Sequence, residues 1–149
     1  MAIVVKNNKI TEEIVNEEGK QIGKIEYDPS DTKTYNELLN IIQETMEIKK
    51  KIEEAPEIKT QIKTIEDLEK NKEVFDKILE ISNYSTDVIS KIIQRLDSIF
   101  GVGTCELFLK GTQNLNYLYP LFDNVLPKFK EARKGKVEKY LSEESDVME

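Results

Sequence analysis

The chain has 149 residues, of which 34% are charged and 38% are hydrophobic, with a formal net charge of −7 and no histidine. This length allows one domain with a modest core. The acidic balance argues against a nucleic-acid-binding protein and disfavours docking on anionic lipid. Without histidine the chain lacks the commonest general base and the commonest metal ligand, so we expect a protein that is not an enzyme and holds no cofactor or metal.

The cysteine content and the hydropathy pattern bear on location. Cys105 is the single cysteine, so an internal disulfide is impossible and nothing indicates an oxidising compartment. No charge-free run reaches the length of a membrane span, and the N-terminus lacks the apolar stretch of a signal peptide. We expect a cytosolic protein that binds neither membrane nor nucleic acid.

Residues 10–27 predict a β-hairpin around a polar turn at residues 16–20. Gly19 supplies the positive φ that short hairpin turns require. The apolar residues on either side of the turn are Ile14, Val15, Ile22, Ile25 and Tyr27. Because an isolated two-stranded ribbon is marginal in water, we expect the hairpin to lie against a helix or to pair with another chain.

A helix is predicted to begin after residues 28–31, with Asp31 or Ser30 as its N-cap. One apolar stripe follows at helical spacing: Tyr35, Leu38, Leu39, Ile42, Met46 and Ile52. Pro56 then interrupts a stretch rich in lysine and glutamate, where proline ends or kinks a helix. Residues 31–82 therefore predict either a helical hairpin kinked near Pro56 or one long bent helix. This element is either simply solvated or an arm that mates with a partner helix.

The strongest helical pattern follows a predicted break at residues 81–85, where Asn83 or Ser85 is expected to act as the cap. Its apolar positions form the widest apolar face in the chain: Val88, Ile89, Ile92, Ile93, Leu96, Ile99 and Phe100. We expect residues 85–141 to supply the core helices. Residues 142–149 are predicted to be an acidic disordered tail.

Gly101-Val102-Gly103-Thr104 follows that helix and has the composition of a phosphate-binding loop. Such a loop follows a strand and carries a lysine after its last glycine, whereas here a helix precedes it and Lys110 comes before Gly111. The segment instead predicts a glycine end to one helix and a threonine cap on the next. Cys105, beside this helix start, is either an activated thiol or a small buried hydrophobe; the neighbouring Glu106 favours the second role.

The last helix is predicted to start at Asn114 and to be bent or segmented by Pro120 and Pro127. Tyr117, Tyr119 and Phe122 lie around Pro120, either in the core or at an interface. A basic cluster follows, either favoured by a helix C-terminus or docking an acidic segment: Lys128, Lys130, Arg133, Lys134, Lys136 and Lys139. The predicted fold is mainly α, a helical bundle with an N-terminal β-hairpin (α+β by strict count), in one domain over residues 1–141.

Four segments of the sequence belong together: the N-terminal hairpin, Tyr27-Asp28-Pro29-Ser30-Asp31, Leu96-Asp97-Ser98-Ile99-Phe100-Gly101-Val102-Gly103-Thr104, and the pattern Leu121-Phe122…Val125-Leu126-Pro127-Lys128-Phe129…Arg133…Lys136…Lys139-Tyr140-Leu141. In combination they resemble the small tail assembly chaperones of phages and prophages of Gram-positive bacteria. The resemblance implies a protein that coats a long, helical tape measure protein in the host bacterial cytoplasm. It also implies absence from the mature virion, and it brings no catalytic residues.

The predicted partner is thus a tape-measure-like phage protein, with a homo-oligomer as a further possibility. The predicted contact surface consists of Ile99, Phe100, Phe108, Tyr117, Tyr119 and Phe122, although each of these residues also fits a core. Two other functions stay open from the sequence. One is a structural component of a phage tail or contractile injection device, and the other is a small regulatory or antitoxin-like adaptor.

Overall fold

The structure is a computed structural model that describes residues 1–55 and 62–148, with side chains described through residue 134. The described residues are mainly α-helical, with one N-terminal β-hairpin and five α-helices. The strands are β1 (Ile10–Val15) and β2 (Gln21–Tyr27). The helices are α1 (Thr32–Glu53), α2 (Ile65–Lys70), α3 (Lys72–Phe100), α4 (Thr104–Leu109) and α5 (Tyr119–Met148), with a 3-10 turn at Leu115–Leu118 before α5.

The predicted hairpin is confirmed. Its strands pair antiparallel from Ile10 opposite Tyr27 to Val15 opposite Gln21, with a bulge beside Val15, and Gly19 takes a φ of 80° in the turn. The inner side of β2 lies against the helices because a glycine at position 23 lets α4 approach closely. A Cβ atom there would come within 2.4 Å of the Cδ1 atom of Leu107.

Helix α1 begins where the sequence predicts, because the Asp31 side chain accepts a hydrogen bond from the Lys33 backbone amide at 3.1 Å. The predicted apolar stripe is wrong in part, since Leu39 and Met46 are exposed. The side that packs inward carries Leu38, Ile41, Thr45 and Ile48. Thr45 tolerates burial because its hydroxyl donates to the Ile41 carbonyl at 2.8 Å, which satisfies its polar group within the helix.

The predicted break at residues 81–85 is also wrong, since α3 is continuous through it and neither Asn83 nor Ser85 is a cap. Ser85 is buried in the same helical series as Ile89 and Ile92, so it belongs to the stripe rather than to a helix end. Neighbouring apolar side chains thereby override a weak local preference of serine and asparagine against helix. The predicted kink at Pro56 lies outside the described residues.

Helices α1 and α3 run antiparallel and are joined by Arg95. Its Nε atom lies 2.6 Å from Oε1 of Glu37, and its Nη1 atom pairs with Glu44, about two turns further along α1. Near the other end of the pair, the Lys51 ammonium lies 4.4 Å from the centre of the Tyr84 ring. These contacts fix the register of the two helices, so the end of α1 lies beside the middle of α3.

The core draws on the hairpin and on α1, α3, α4 and α5. At its centre the Tyr27 ring lies 5.3 Å from that of Phe100, edge to face, and 5.4 Å from that of Phe129, stacked. Both arrangements are favourable for aromatic pairs. The core therefore joins the start of the chain to its last helix.

The hydroxyl of Tyr27 has no hydrogen-bond partner among the described residues and is buried; burial raises the pKa of this phenol. A buried polar atom without a partner costs about 1–3 kcal/mol of stability. We expect Tyr27→Phe to raise the free energy of unfolding by about 1 kcal/mol, measured by urea denaturation. A lower midpoint for the variant than for the native protein would contradict this expectation.

The C-terminal third differs from the sequence predictions at its helix boundaries. Thr104 is the first residue of α4 and does not cap it; Gly103 holds that position. Asn114 caps the 3-10 turn as predicted, and α5 then runs from Tyr119 through Pro127. The helix continues to Met148, into the segment for which the sequence predicts a disordered tail, and residue 149 lies outside the described residues.

Candidate helix-binding groove

The six predicted contact residues do not form an exposed surface. Phe100 and Phe122 are buried in the core, and Ile99, Phe108 and Tyr119 are partly buried against it. Only Tyr117 is well exposed among the six, at 49%. The segment Gly101–Gly103, which we call the glycine break, folds α4 back against α3. This reversal turns most of these side chains inward.

Asp97 holds the glycine break together. Its Oδ1 atom accepts from the Cys105 backbone amide at 3.0 Å and its Oδ2 atom accepts from the Gly103 amide at 3.3 Å, while Gly101 and Gly103 take φ values of 124° and 85°. The amides that a phosphate would need therefore already bind a carboxylate, whose charge repels an anion. This geometry disfavours a phosphate site. Gly103 occupies the N-cap position of α4 and has no side chain to accept a hydrogen bond, so Asp97 of α3 supplies the acceptor for the amides at the start of α4.

Cys105 lies in the core, with its Sγ atom 3.8 Å from the Ile93 carbonyl oxygen. Burial first, and then the charge of Asp97, raise the pKa of the thiol well above its ordinary 9.0. The hypothesis of a buried hydrophobe is thereby favoured over that of an activated thiol, because the thiolate is the reactive form.

We expect the Cys105 thiol to resist the disulfide reagent DTNB in the folded protein and to react once the protein is unfolded.

Because the thiol loses its proton at higher pH in the folded state than in the unfolded chain, its contribution to stability is present below about pH 9 and falls as the pH rises further. Denaturation on both sides of that pH measures the loss. Cys105→Ala should remove this part of the pH dependence, and an unchanged slope would contradict it.

Two residues of the basic cluster on α5 contact other parts of the protein, while Lys130 and Lys134 are exposed. The Lys128 ammonium pairs with Glu12 of β1, and the Arg133 guanidinium lies 5.9 Å from the centre of the Tyr35 ring. Since α5 continues to Met148, these residues are not at a helix C-terminus, and that explanation of the cluster is wrong. Lys136 and Lys139 have no described side chains.

Exposed apolar side chains gather instead on the first half of α3, which we call the α3 arm (residues 72–84). Because Lys51, near the end of α1, lies beside Tyr84, the arm extends roughly 15 Å beyond α1. Phe75 and Leu79 are 36% and 45% exposed there, and Ile65 of α2 is more exposed still. Val74, Ile78 and Ile81 on the same half-helix are partly buried.

The arm leads into a groove between the end of α1, α3 and the segment before the 3-10 turn, which we call the α1–α3 groove. It comprises two adjoining cavities, of about 230 Å³ and 270 Å³, which share Ile52, Ile89 and Gln113. Its apolar lining also includes Ala55, Ile78 and Ile81, and its polar lining includes Ser82, Ser85, Thr86, Asn114 and Asn116. An apolar floor with a polar rim is the usual make-up of a binding site.

Ser85 is the polar residue buried deepest in this groove. It is 6% exposed, and its hydroxyl has no hydrogen-bond partner among the described residues. Its place in the groove could not be predicted from the sequence, because a serine beside Asn83 and Tyr84 is typical of a helix break. No sequence pattern predicts Gln113 in the groove either, since its position depends on the path of the chain after α4.

Comparison of the chain with protein families, with curated proteins and with solved structures finds no match. Among the described residues there is no cluster of three or more histidine, cysteine, aspartate or glutamate side chains that would suit a metal ion. No helix in the described part of the chain is both long enough and apolar enough to cross a membrane.

Proposed function

We propose that this chain is a non-enzymatic binding protein that keeps a long helical partner protein soluble, in the manner of a phage tail assembly chaperone. The observation that carries the proposal is the α3 arm, where Phe75 and Leu79 stay exposed beyond the end of α1. Apolar side chains grouped on one exposed half-helix are typical of a protein interaction site. Such a site suits the apolar face of a partner helix.

The resemblance of the hairpin, the glycine break and the C-terminal pattern to tail assembly chaperones supports a tape-measure-like partner. In this proposal the protein works in the cytoplasm of the bacterial host and is absent from the mature virion. Its net charge of −7 suits the role, because like charges on many bound copies keep the complex dispersed. Release follows when another assembly component takes the partner helix.

Co-expression with the tape-measure-like protein of the same gene cluster tests the proposal. We expect the soluble fraction of the partner to rise with the native protein and to fall with the double variant Phe75→Ser and Leu79→Ser. Met46→Ser is the matched control, since Met46 is 55% exposed on α1 and lies outside the groove lining. The proposal is wrong if the partner is equally insoluble with and without the native protein.

A further inference from the structure

We infer that this chain pairs with a second copy of itself at its N-terminus, where residues 2–6 of each copy add as a strand to the free edge of β1 in the other. This inference goes beyond the proposed function, because it concerns association of the chain with itself. Three features of the described residues carry it: an unpaired apolar run, an open sheet edge, and opposite charge on the two.

Residues 2–6 form a strand-like run that has no place in the sheet. The branched side chains of isoleucine and valine favour β-strands. Ile3, Val4 and Val5 are nevertheless 94%, 84% and 89% exposed, and the run forms neither a strand nor a helix. Pairing of the run with a sheet edge would satisfy its main chain and cover alternate side chains.

The outer edge of β1 offers such a pairing. The sheet has two strands, and β2 is the one that packs on the core, since Ile25 and Tyr27 are buried whereas no residue of β1 is. In the described part of the chain, the backbone of β1 pairs with β2 and with no other segment. An edge strand of this kind presents a row of unpaired amide and carbonyl groups to an added strand.

The run does not reach the β1 edge of its own chain. To fold back on β1 through a two-residue turn at residues 7 and 8, the Lys9 amide would donate to the Lys6 carbonyl. The Lys9 amide instead donates to Oδ1 of Asn7 at 3.0 Å, and the Lys9 ammonium lies 3.9 Å from Oε1 of Glu26 on β2. The free edge that the run meets therefore belongs to a second copy, which supplies both halves of the pairing.

Charge matches the run to this edge. Residues 1–9 contain two lysines and no carboxylate, whereas residues 10–18 contain four glutamates and no lysine or arginine. Glu12 already pairs with Lys128 of α5, which leaves Glu13 as the available carboxylate on β1. Opposite charges on adjacent strands favour pairing, and an acidic strand at the same edge would be repelled.

One register satisfies both faces of the extended sheet. Side chains alternate between the two faces of a strand, and directly opposite residues point to the same face. Ile3 and Val5 then lie on the inner face, alongside the partly buried Ile14 of the other copy. The outer face brings together Lys6 and Glu13, which are both exposed and neither of which pairs with another described residue. Reciprocal antiparallel addition of this kind suits a two-fold dimer.

Sedimentation velocity over a range of concentrations measures the association, with any purification tag placed at the C-terminus. We expect a dimer that gives way to monomer on dilution. The double variant Val4→Pro and Val5→Pro should weaken the dimer at least about tenfold, because one of two successive prolines removes a main-chain donor that faces the partner strand. Val102→Ser is the control, since Val102 is fully exposed at the glycine break, and it should leave the dimer unchanged.

An exchange of charge tests whether the run and the edge lie on different copies. Lys6→Glu and Glu13→Lys should each weaken the dimer by about tenfold, since a two-fold dimer contains this pair twice and either change makes it repulsive. An equimolar mixture of the two variants should restore the dimer, because each run then meets an edge of opposite charge. Pairing within one chain would gain nothing from mixing.

A native protein that is monomeric at every concentration would overturn the inference, and so would a proline variant that dimerises as tightly as the native protein. A mixture of Lys6→Glu and Glu13→Lys that dimerises no better than either variant alone would overturn it as well. Circular dichroism checks that each variant is folded. Residues 2–6 are exposed throughout, so the proline variant should give the native spectrum.

Discussion

Replacing Phe129 by alanine should lower the free energy of unfolding by about 3–5 kcal/mol, a large part of the 5–15 kcal/mol typical of a domain. Phe129 is completely buried, and its ring contacts both Tyr27, at 5.4 Å between ring centres, and Tyr35, at 5.6 Å. Removing it leaves a cavity between the hairpin, α1 and α5. Urea denaturation followed by circular dichroism measures the change.

Phe75→Ala is the matched control, because it makes the same chemical change at an exposed position of α3. We expect it to cost less than about 1 kcal/mol, as surface substitutions usually do. Similar losses in the two variants would show that Phe129 does not hold the core together as described.

Asp97→Ala should lower the free energy of unfolding by about 2 kcal/mol, since hydrogen bonds to a charged group are worth about 1.5–3 kcal/mol. The carboxylate binds the backbone amides of Gly103 and Cys105, and alanine leaves both donors without their acceptor. The start of α4 should then open more often. Faster reaction of Cys105 with DTNB under native conditions reports that opening directly.

Asp97→Asn separates the charge of this side chain from its shape. It keeps one acceptor oxygen in place, so we expect about half of the loss. Asp76→Ala is the control for removing a carboxylate from an exposed position of α3, and it should leave Cys105 protected. Equal protection of Cys105 in the native protein and in Asp97→Ala would refute the role given to Asp97.

Periodicity predicted the fold class and the central helix because these depend on many residues at once. The hairpin, the start of α1 at Asp31 and the core positions Ile89, Ile92 and Leu96 all follow from local pattern. The wrong predictions concern residues whose burial is determined by tertiary contacts. Thr45 replaces Met46 in the packed stripe because its hydroxyl is satisfied within the helix, and a hydropathy pattern does not contain that information.

The candidate site could not be predicted from the sequence, because it too depends on tertiary contacts. Phe100 and Phe122 are large, aromatic and close to a glycine break, and these properties fit a contact surface as well as they fit a core. Their burial depends on α4 folding back through Gly101 and Gly103. The groove needs Gln113 from one segment and Ile52 from another, a meeting that no short motif encodes.

The stacking of Tyr27 on Phe129 has a consequence for the newly synthesised chain. The hairpin leaves the ribosome before the helices against which it packs, yet a two-stranded ribbon is marginal alone and its aromatic neighbour lies about one hundred residues later. At a synthesis rate of roughly 5–20 residues per second, that interval lasts roughly 5–20 s. During it, Ile25 and Tyr27 are open to solvent and to other nascent chains, so expression at lower temperature with slower initiation should raise the yield of folded protein.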